Sequence, residues 1–162
     1  GQPIVVANEE QQERNARFHS FGDGYRNSLR ANELWGLALK DGGNLGAFGT
    51  YHHFRQDSFS HGPYAGNTTW GQTTGGTQVD HTNFDPGLAR QMAHATYSDL
   101  KAFAYWRGCG CVADPDWTKI NAFINVGYAS WNPVDFVWEV SDAQLREKIG
   151  ILGVPWRSPN GR

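Results

Sequence analysis

The longest helical pattern in this chain begins at Asp85-Pro86 and is expected to reach about Trp106. Aspartate caps free backbone amides and proline is tolerated at the first helical position, so this pair is a strong helix start. Arg107-Gly108 then ends the pattern. The apolar residues that recur at helical intervals, and should therefore form the buried face, are Leu88, Met92, Ala95, Leu100 and Phe103.

Four further segments carry helical patterns or caps, so the sequence predicts a mainly α fold, a single-domain helical bundle with long loops over residues 1–162. These helices are expected at residues 8–21, 28–40, 45–60 and 141–149. Residues 123–128 are expected to form a short strand and residues 131–133 a turn. The buried side of the helix at 45–60 should carry Leu45, Phe48, Tyr51 or His52, Phe54 and Phe59.

Residues 62–84 show no period and are rich in Gly and Thr. A loop of this length inside a compact domain is usually functional or mobile. We expect it to act as a lid that faces the substrate.

Composition and charge limit the functional classes. The formal net charge is -2 and no stretch concentrates basic residues, which argues against a broad nucleic-acid-binding face. No apolar run approaches the roughly 18 residues of a membrane span, and no secretory signal pattern precedes residue 20, so the domain is expected to be soluble. Cys109 and Cys111 are too close in the chain for an unstrained disulfide and do not indicate a redox compartment.

His53, Asp57 and His61 recur every four residues within or at the end of the helix predicted at 45–60. Successive members are offset by only about 40° around a helix, so their side chains share one face. Imidazole nitrogen and carboxylate oxygen both suit a borderline cation such as zinc. The spacing predicts a metal site, although histidine and aspartate on a helix face can also be solvated or paired with each other.

The spacing His-x-x-x-Asp occurs twice more, from His19 to Asp23 and from His81 to Asp85. This repetition favours the metal-site hypothesis and adds these four residues to the candidate ligands. Asp23 lies between two glycines and can instead shape a turn. Asp85 is so well placed as an N-cap that capping is its alternative role. His81 precedes a helix and has no evident packing role.

The remaining histidines are weaker candidates. His52 must point about 100° away from His53, which makes it a core residue or one that orients a ligand. His94 falls on the polar face of its helix, where exposure to solvent is the default. Tyr64, Trp70 and Tyr97 are interpreted as packing residues. No nucleophile elbow, phosphate-binding loop or dinucleotide fingerprint is present, and a cysteine nucleophile at Cys109 or Cys111 has no recognisable partner.

Several motifs resemble known families. The segment from His53 to His61 resembles the His-Phe-x-x-Asp ligand helix of zinc-dependent phospholipase C and the related single-strand nucleases, which are all helical and have a three-metal phosphodiesterase site. Most of the chain more closely resembles a C-terminal toxin domain found after Rhs repeats in bacterial polymorphic toxins. The motifs that carry this second likeness are Phe18-His19-Ser20-Phe21, the run from Gln56 to His61, Asp85-Pro86, the run from Met92 to Tyr97, and the closing run from Ile151 to Pro155.

The chain departs from the phospholipase and nuclease pattern at two points. Those families use an N-terminal Trp as a metal ligand, whereas this sequence begins with Gly1 and cannot supply that group. The acidic residue that bridges two metals in those families has only Asp23 and Asp41 as possible matches. We therefore expect between one and three zinc ions.

The predicted function is that of a zinc-dependent phosphoric diester hydrolase. Its metal ligands would be His19, Asp23, His53, Asp57, His61, His81 and Asp85. Asp57 or Asp85 would orient a water molecule whose pKa the metal lowers toward ~7. The near-neutral charge favours a phospholipid or another small phosphodiester as the substrate. A zinc-dependent nuclease and a non-enzymatic binding module folded around metal are the two alternatives.

The toxin resemblance also implies a setting for the domain. It would be secreted or delivered into a target cell as the cargo of an Rhs-repeat carrier region. A cognate immunity protein would neutralise it in the producing cell.

Overall fold

The computed structural model describes residue 20 and residues 24–64, 81–110, 112–127, 130–132, 137–139 and 141–155. Within these ranges the chain is mainly helical, as predicted. The helix predicted at residues 8–21 and most of the predicted lid lie outside the described residues, as do His19 and Asp23. None of the helices in the described ranges is long and apolar enough to cross a membrane.

Five α-helices and one short hairpin follow each other along the described chain. Helix α1 is Gly24–Leu39, α2 is Leu45–Ser60, α3 is Pro86–Trp106, α4 is Trp117–Asn125 and α5 is Asp142–Ile151. Strands β1, Ser130–Asn132, and β2, Val137–Glu139, pair antiparallel with Trp131 opposite Trp138. Short 3₁₀ turns occupy Lys40–Gly42 and Gly62–Tyr64. The sequence-based bounds of α2 and α3 are confirmed, and α1 begins earlier than residue 28.

Two local predictions are wrong. The expected strand at residues 123–128 overlaps α4, which Asp116 begins by accepting hydrogen bonds from the backbone N–H groups of Thr118 and Lys119. The expected turn at 131–133 is part of β1 as far as Asn132. Short apolar runs rich in branched and aromatic residues do not distinguish a helix from a strand by their period, which explains the first error.

Side-chain caps fix where the helices begin. Asp85 accepts a hydrogen bond from the Leu88 backbone N–H at 2.9 Å, and Ser141 forms a capping box with Gln144. The connection between α1 and α2 is tight, and Gly43 adopts a φ of 107° there. A side chain at this position would also collide with the Arg107 side chain, whose Cγ would lie 2.7 Å from the added Cβ. The positive φ therefore favours glycine at position 43, and any larger residue would also force the Arg107 side chain to shift.

The main core lies among α1, α2 and α3. The Phe48 and Phe103 rings stack with centroids 3.9 Å apart, and Phe54 is only 1% exposed. The expected core positions Leu45 and Leu100 are exposed, so those two predictions are wrong. Leu45 is the first residue of α2, and the buried residues of α3 are Ala89 and Phe103. The buried residues that pack together are Leu34, Ala38, Phe48, Tyr51, Phe54 and Phe103.

A polar contact beside this core fixes how α2 lies against α3. The Tyr51 hydroxyl donates to Asp99 Oδ2 at 3.0 Å, and Arg55 Nε donates to the same oxygen at 3.2 Å. Burial, reinforced by the Asp99 carboxylate, raises the pKa of the Tyr51 hydroxyl to about 12. The hydroxyl therefore stays protonated and keeps donating across the physiological pH range.

Phe54 provides a direct test of the core. Replacing it with Ala should lower the free energy of unfolding by about 3–5 kcal/mol, because it removes a buried ring and leaves a cavity. Leu29→Ala is the control, since Leu29 is 53% exposed on α1 and should change stability by less than about 0.5 kcal/mol. Urea denaturation followed by tryptophan fluorescence measures both. Equal, small effects of the two substitutions would contradict the assignment of Phe54 to the core.

Candidate metal site

Three of the predicted ligands follow one another along α2 and past its end. His53 and Asp57 lie one helical turn apart within the helix. His61 occupies the C-cap, where its backbone N–H donates to the Asp57 carbonyl at 2.8 Å. The helix thus sets the backbone positions of all three residues.

Exposure falls steadily along this row of side chains. The His53 side chain is 54% exposed and that of Asp57 is 12% exposed, whereas His61 is only 3% exposed. Each step of four residues turns the position by about 40°, so the row drifts around the helix toward the side that carries Phe54. His61 is seven residues beyond Phe54 and therefore lies about 20° from it around the axis. The row begins in solvent and ends in the interior.

His53 and Asp57 are two predicted ligands whose side chains lie close together. Their Nε2 and Oδ2 atoms are 3.8 Å apart, which is too far for a hydrogen bond but close enough for a shared ligand. Zinc binds imidazole nitrogen and carboxylate oxygen at about 2.0–2.2 Å, so one ion can contact both atoms across this gap. The pair has the donor chemistry and the separation of two metal ligands.

His81 and Asp85 belong to the segment that leads into α3. The His81 carbonyl accepts a hydrogen bond from the Phe84 backbone N–H at 2.9 Å, which closes a turn. Asp85 caps α3 through Oδ1. The capping role that the sequence suggested for Asp85, as the alternative to metal binding, is therefore confirmed. Metal binding by Asp85 would have to coexist with this cap.

The packing of α2 against α3 brings these two groups to the same end of the helix pair. Phe48 near the start of α2 stacks on Phe103 near the end of α3. Gln56, near the end of α2, donates to Thr96 in the middle of α3 at 3.4 Å. The two helices are therefore antiparallel, and the end of α2 lies near the beginning of α3. His61 and Asp85 share that end.

Within the described ranges, no three His, Cys, Asp or Glu side chains form a group that could hold a metal ion. The geometry defined there is that of the His53–Asp57 pair, with His61 one turn further. Two of the seven predicted ligands, His19 and Asp23, lie outside the described residues. The complete ligand set stays a prediction.

One candidate for a bridging carboxylate is excluded by its position. Asp41 lies in the turn before α2 and is exposed. Because α2 has 16 residues and spans about 24 Å, Asp41 is at the opposite end of the helix from His61. Asp41 cannot share an ion with His61. Among the acidic residues proposed for this role, only Asp23 is left.

The other two histidines have packing roles. His52 meets Phe48 edge-on with ring centroids 4.4 Å apart, and both of its ring nitrogens are buried. Neither nitrogen has a hydrogen-bond partner in the described part of the chain. Burial lowers the pKa of the His52 imidazole, which favours its neutral form. His94 is exposed, as expected, and its ring stacks on Trp117 at 3.9 Å.

Tyr97 and Cys109, to which the sequence analysis assigned no role in the site, are both described by the structure. The Tyr97 hydroxyl donates to the Asp114 carboxylate, and its ring meets Trp117 edge-on. Cys109 is an exposed free thiol, whereas Cys111 and Trp70 lie outside the described residues. No catalytic arrangement involving Tyr97 or Cys109 emerges from these contacts.

Two polar residues near His81 were missed by the sequence analysis. Lys148 of α5 donates to the Thr82 hydroxyl oxygen at 2.6 Å, and Thr82 directly follows His81. The residues are far apart in sequence, so neither spacing nor a local motif could have predicted the contact.

No protein-family model, curated protein or solved structure matches this chain. The likeness to Rhs-associated toxin domains and to zinc-dependent phospholipase C therefore stays a prediction from the sequence motifs.

The burial of His52 predicts how stability depends on pH. Below about pH 6.5 the unfolded chain protonates this imidazole while the folded chain resists protonation, since burial holds the folded pKa below 6.5. The stability that His52 contributes is present above that pH and is lost as the pH falls toward the folded pKa. In His52→Leu, urea denaturation between about pH 7.5 and pH 5.5 should show a smaller loss of stability than in the wild type.

The matched control is His94→Leu, because His94 is exposed. This variant should follow the wild-type pH dependence. An unchanged acid-induced loss in His52→Leu would contradict the assignment of a buried, neutral His52.

Proposed function

We propose that this domain is a zinc-dependent phosphodiesterase with an overall fold similar to that of zinc-dependent phospholipase C. The observation that carries the proposal is the 3.8 Å separation of His53 Nε2 and Asp57 Oδ2 on one helix. His61 adds a buried imidazole one turn further. The antiparallel direction of α2 and α3 supports the inclusion of His81 and Asp85, which precede α3, in the proposed ligand set. His19 and Asp23 complete the proposed ligand set for one to three ions.

The donor set fits zinc. Imidazole nitrogen and carboxylate oxygen are both ordinary zinc ligands, and a rigid helix holds two of them before any ion binds. Bound zinc would polarise a phosphoryl oxygen and lower the pKa of a water molecule toward ~7. The exposed side of the row at His53 leaves room for solvent and substrate, which a closed structural site would not provide.

Protein side chains would orient the attacking water and bind the phosphate of the substrate. Asp57 is nearly buried, so its carboxylate can hold a fixed position beside the exposed His53. From there it could orient the attacking water for in-line displacement at phosphorus. Asp85 is the second candidate for this role, at the N-terminus of α3. The partial positive charge of that helix end would favour the phosphate of the substrate.

The proposed substrate is a phospholipid or another small phosphodiester. A net charge of -2 and the absence of a basic run in the sequence argue against the broad positive surface that nucleic-acid binding requires. The proposed setting is that of a toxin effector, secreted or delivered from an Rhs-repeat carrier and blocked by an immunity protein in the producing cell. This setting depends on the sequence motifs alone.

The proposal predicts that metal content and activity depend on the same side chains. Removing a residue that only hydrogen-bonds to a metal ligand commonly lowers metal affinity or activity by about 10- to 100-fold. Because His53 and Asp57 are proposed as ligands themselves, His53→Ala and Asp57→Asn should each reduce bound zinc and phosphodiester hydrolysis by more than that. His61→Gln should act in the same direction. Zinc is measured by mass spectrometry on the purified domain, and hydrolysis with a chromogenic phosphodiester before and after chelation.

His94→Ala is the control, because it removes an exposed histidine that has no part in the proposed site. It should keep wild-type zinc content and activity. Circular dichroism separates loss of metal from loss of fold in the buried His61 variant. Full zinc content and full activity in both the His53 and Asp57 variants would refute the proposal.

A substrate comparison distinguishes the alternatives. Phospholipid vesicles and single-stranded DNA or RNA are incubated with the domain, with and without a chelator. Chelator-sensitive release of a phosphorylated headgroup supports the phospholipase proposal, whereas cleavage of the nucleic acid assigns the nuclease. Zinc binding without hydrolysis of any of these substrates would assign a metal-stabilised binding module.

A further inference from the structure

One end of the helix bundle exposes large apolar side chains. Because α2 and α3 are antiparallel, the end of α3 lies near the beginning of α2, and Trp106 Nε1 also donates to the Leu39 carbonyl at the end of α1. At this end Tyr105 is 81% exposed, Leu45 65% and Trp106 57%. Single exposed apolar residues are ordinary, whereas a group of them marks an interaction surface.

Charged side chains of both signs border these residues. Arg107 follows Trp106, and its side chain lies against Gly43 in the turn between α1 and α2. Lys40 and Asp41 belong to the same turn and are exposed. In the part of the chain that the structure describes, none of these three charged side chains makes an ion pair. We call this group the end surface; its members are Lys40, Asp41, Leu45, Tyr105, Trp106 and Arg107.

The end surface contains the residue types that dominate binding between proteins. Tyrosine, tryptophan and arginine are enriched among the residues that contribute most to such interfaces, and here they follow one another at residues 105–107. The Arg107 guanidinium already lies 5.9 Å from the centre of the Phe103 ring. Part of its conformational freedom is therefore lost before any partner binds, which lowers the entropic cost of binding.

The two signs of charge indicate which partner fits. An anionic membrane or an acidic protein would attract Lys40 and Arg107 but repel Asp41. A second copy of the same chain matches all three residues, because a two-fold axis places the same surface opposite itself. The carboxylate of each copy can then meet a cation of the other copy, beside the apolar side chains.

We propose that the end surface joins two copies of this chain in a symmetric dimer, in which Asp41 of each copy pairs with Arg107 of the other. This inference goes beyond the zinc-dependent function and does not require it. Because α2 has 16 residues and spans about 24 Å, His61 lies at the opposite end of that helix from Leu45. The dimer contact would therefore not cover His61.

Sedimentation velocity of the whole domain over a range of micromolar concentrations measures the dimer directly. The wild type should convert from monomer to dimer as its concentration rises. Tyr105→Ser and Leu45→Ser should each weaken the dimer about tenfold or more, because they remove apolar contact from the interface. Leu29→Ser is the matched control, since Leu29 is 53% exposed but lies in the first half of α1. It should dimerise as the wild type does.

The charge pair has a test that damage to the fold cannot imitate. Asp41→Arg and Arg107→Asp each place like charges opposite one another, so either variant alone should dimerise about tenfold or more weakly than the wild type. When the two variants are mixed, they should form a heterodimer of about wild-type strength, because each cation again faces a carboxylate. Lys119→Asp is the control for the mixture, since Lys119 is exposed on α4. It should not restore dimerisation of Asp41→Arg.

Several outcomes would overturn the proposal. A wild type that stays monomeric at every concentration would do so, as would a dimer that Tyr105→Ser and Leu45→Ser leave unchanged. Failure of the two charge variants to recover on mixing would exclude the proposed ion pair, and with it this dimer. A monomer that binds anionic vesicles, more tightly after Asp41→Asn, would assign the end surface to a membrane instead. The melting temperature of each variant separates weaker association from unfolding.

Discussion

The packing of α2 against α3 is the constraint on which the other features depend. The stacked rings of Phe48 and Phe103 hold the two helices together at one end. Asp99 fixes their rotation near the middle, because it accepts hydrogen bonds from both Tyr51 and Arg55. With the pair fixed in this way, the depth of every other residue of α2 follows from its angle around the helix axis.

That angle explains why a regularly spaced row of polar side chains is exposed to solvent at one end and buried at the other. A spacing of four residues is slightly longer than a helical turn, so the row cannot stay on the exposed face. His53 meets solvent, Asp57 is at the edge of the packed region and His61 is buried. Such a gradient is compatible with the proposed metal site, in which the protein would hold the ion from one side and water would reach it from the other.

Much of this architecture could be predicted from the sequence, because it depends on local signals. Asn44, Asp85 and Ser141 each cap a helix that the sequence places correctly. The grouping of His53 with Asp57 follows from helical spacing alone. Local signals failed where packing decided the outcome, as in the segment at residues 123–128, which is helical through Asn125, and in the exposure of Leu45 and Leu100.

The contacts that join distant segments could not be predicted in this way. Lys148 and Thr82 meet only because α5 folds back over the turn before α3, and the charge of Lys148 gives no sign of its partner. The convergence of the ends of α2 and α3 likewise depends on their antiparallel packing. Sequence patterns proposed the candidate ligands, whereas tertiary packing determines which of these side chains lie close to one another.

In the proposed site, imidazole and carboxylate groups at the C-terminal end of α2 hold zinc. Diffraction data from a zinc-containing crystal, collected on both sides of the zinc absorption edge, test it most directly. We expect an anomalous peak within about 2.0–2.2 Å of both His53 Nε2 and Asp57 Oδ2, with at least one further histidine in contact. Anomalous peaks only elsewhere on the protein, with His53 and Asp57 in contact with no metal, would contradict it.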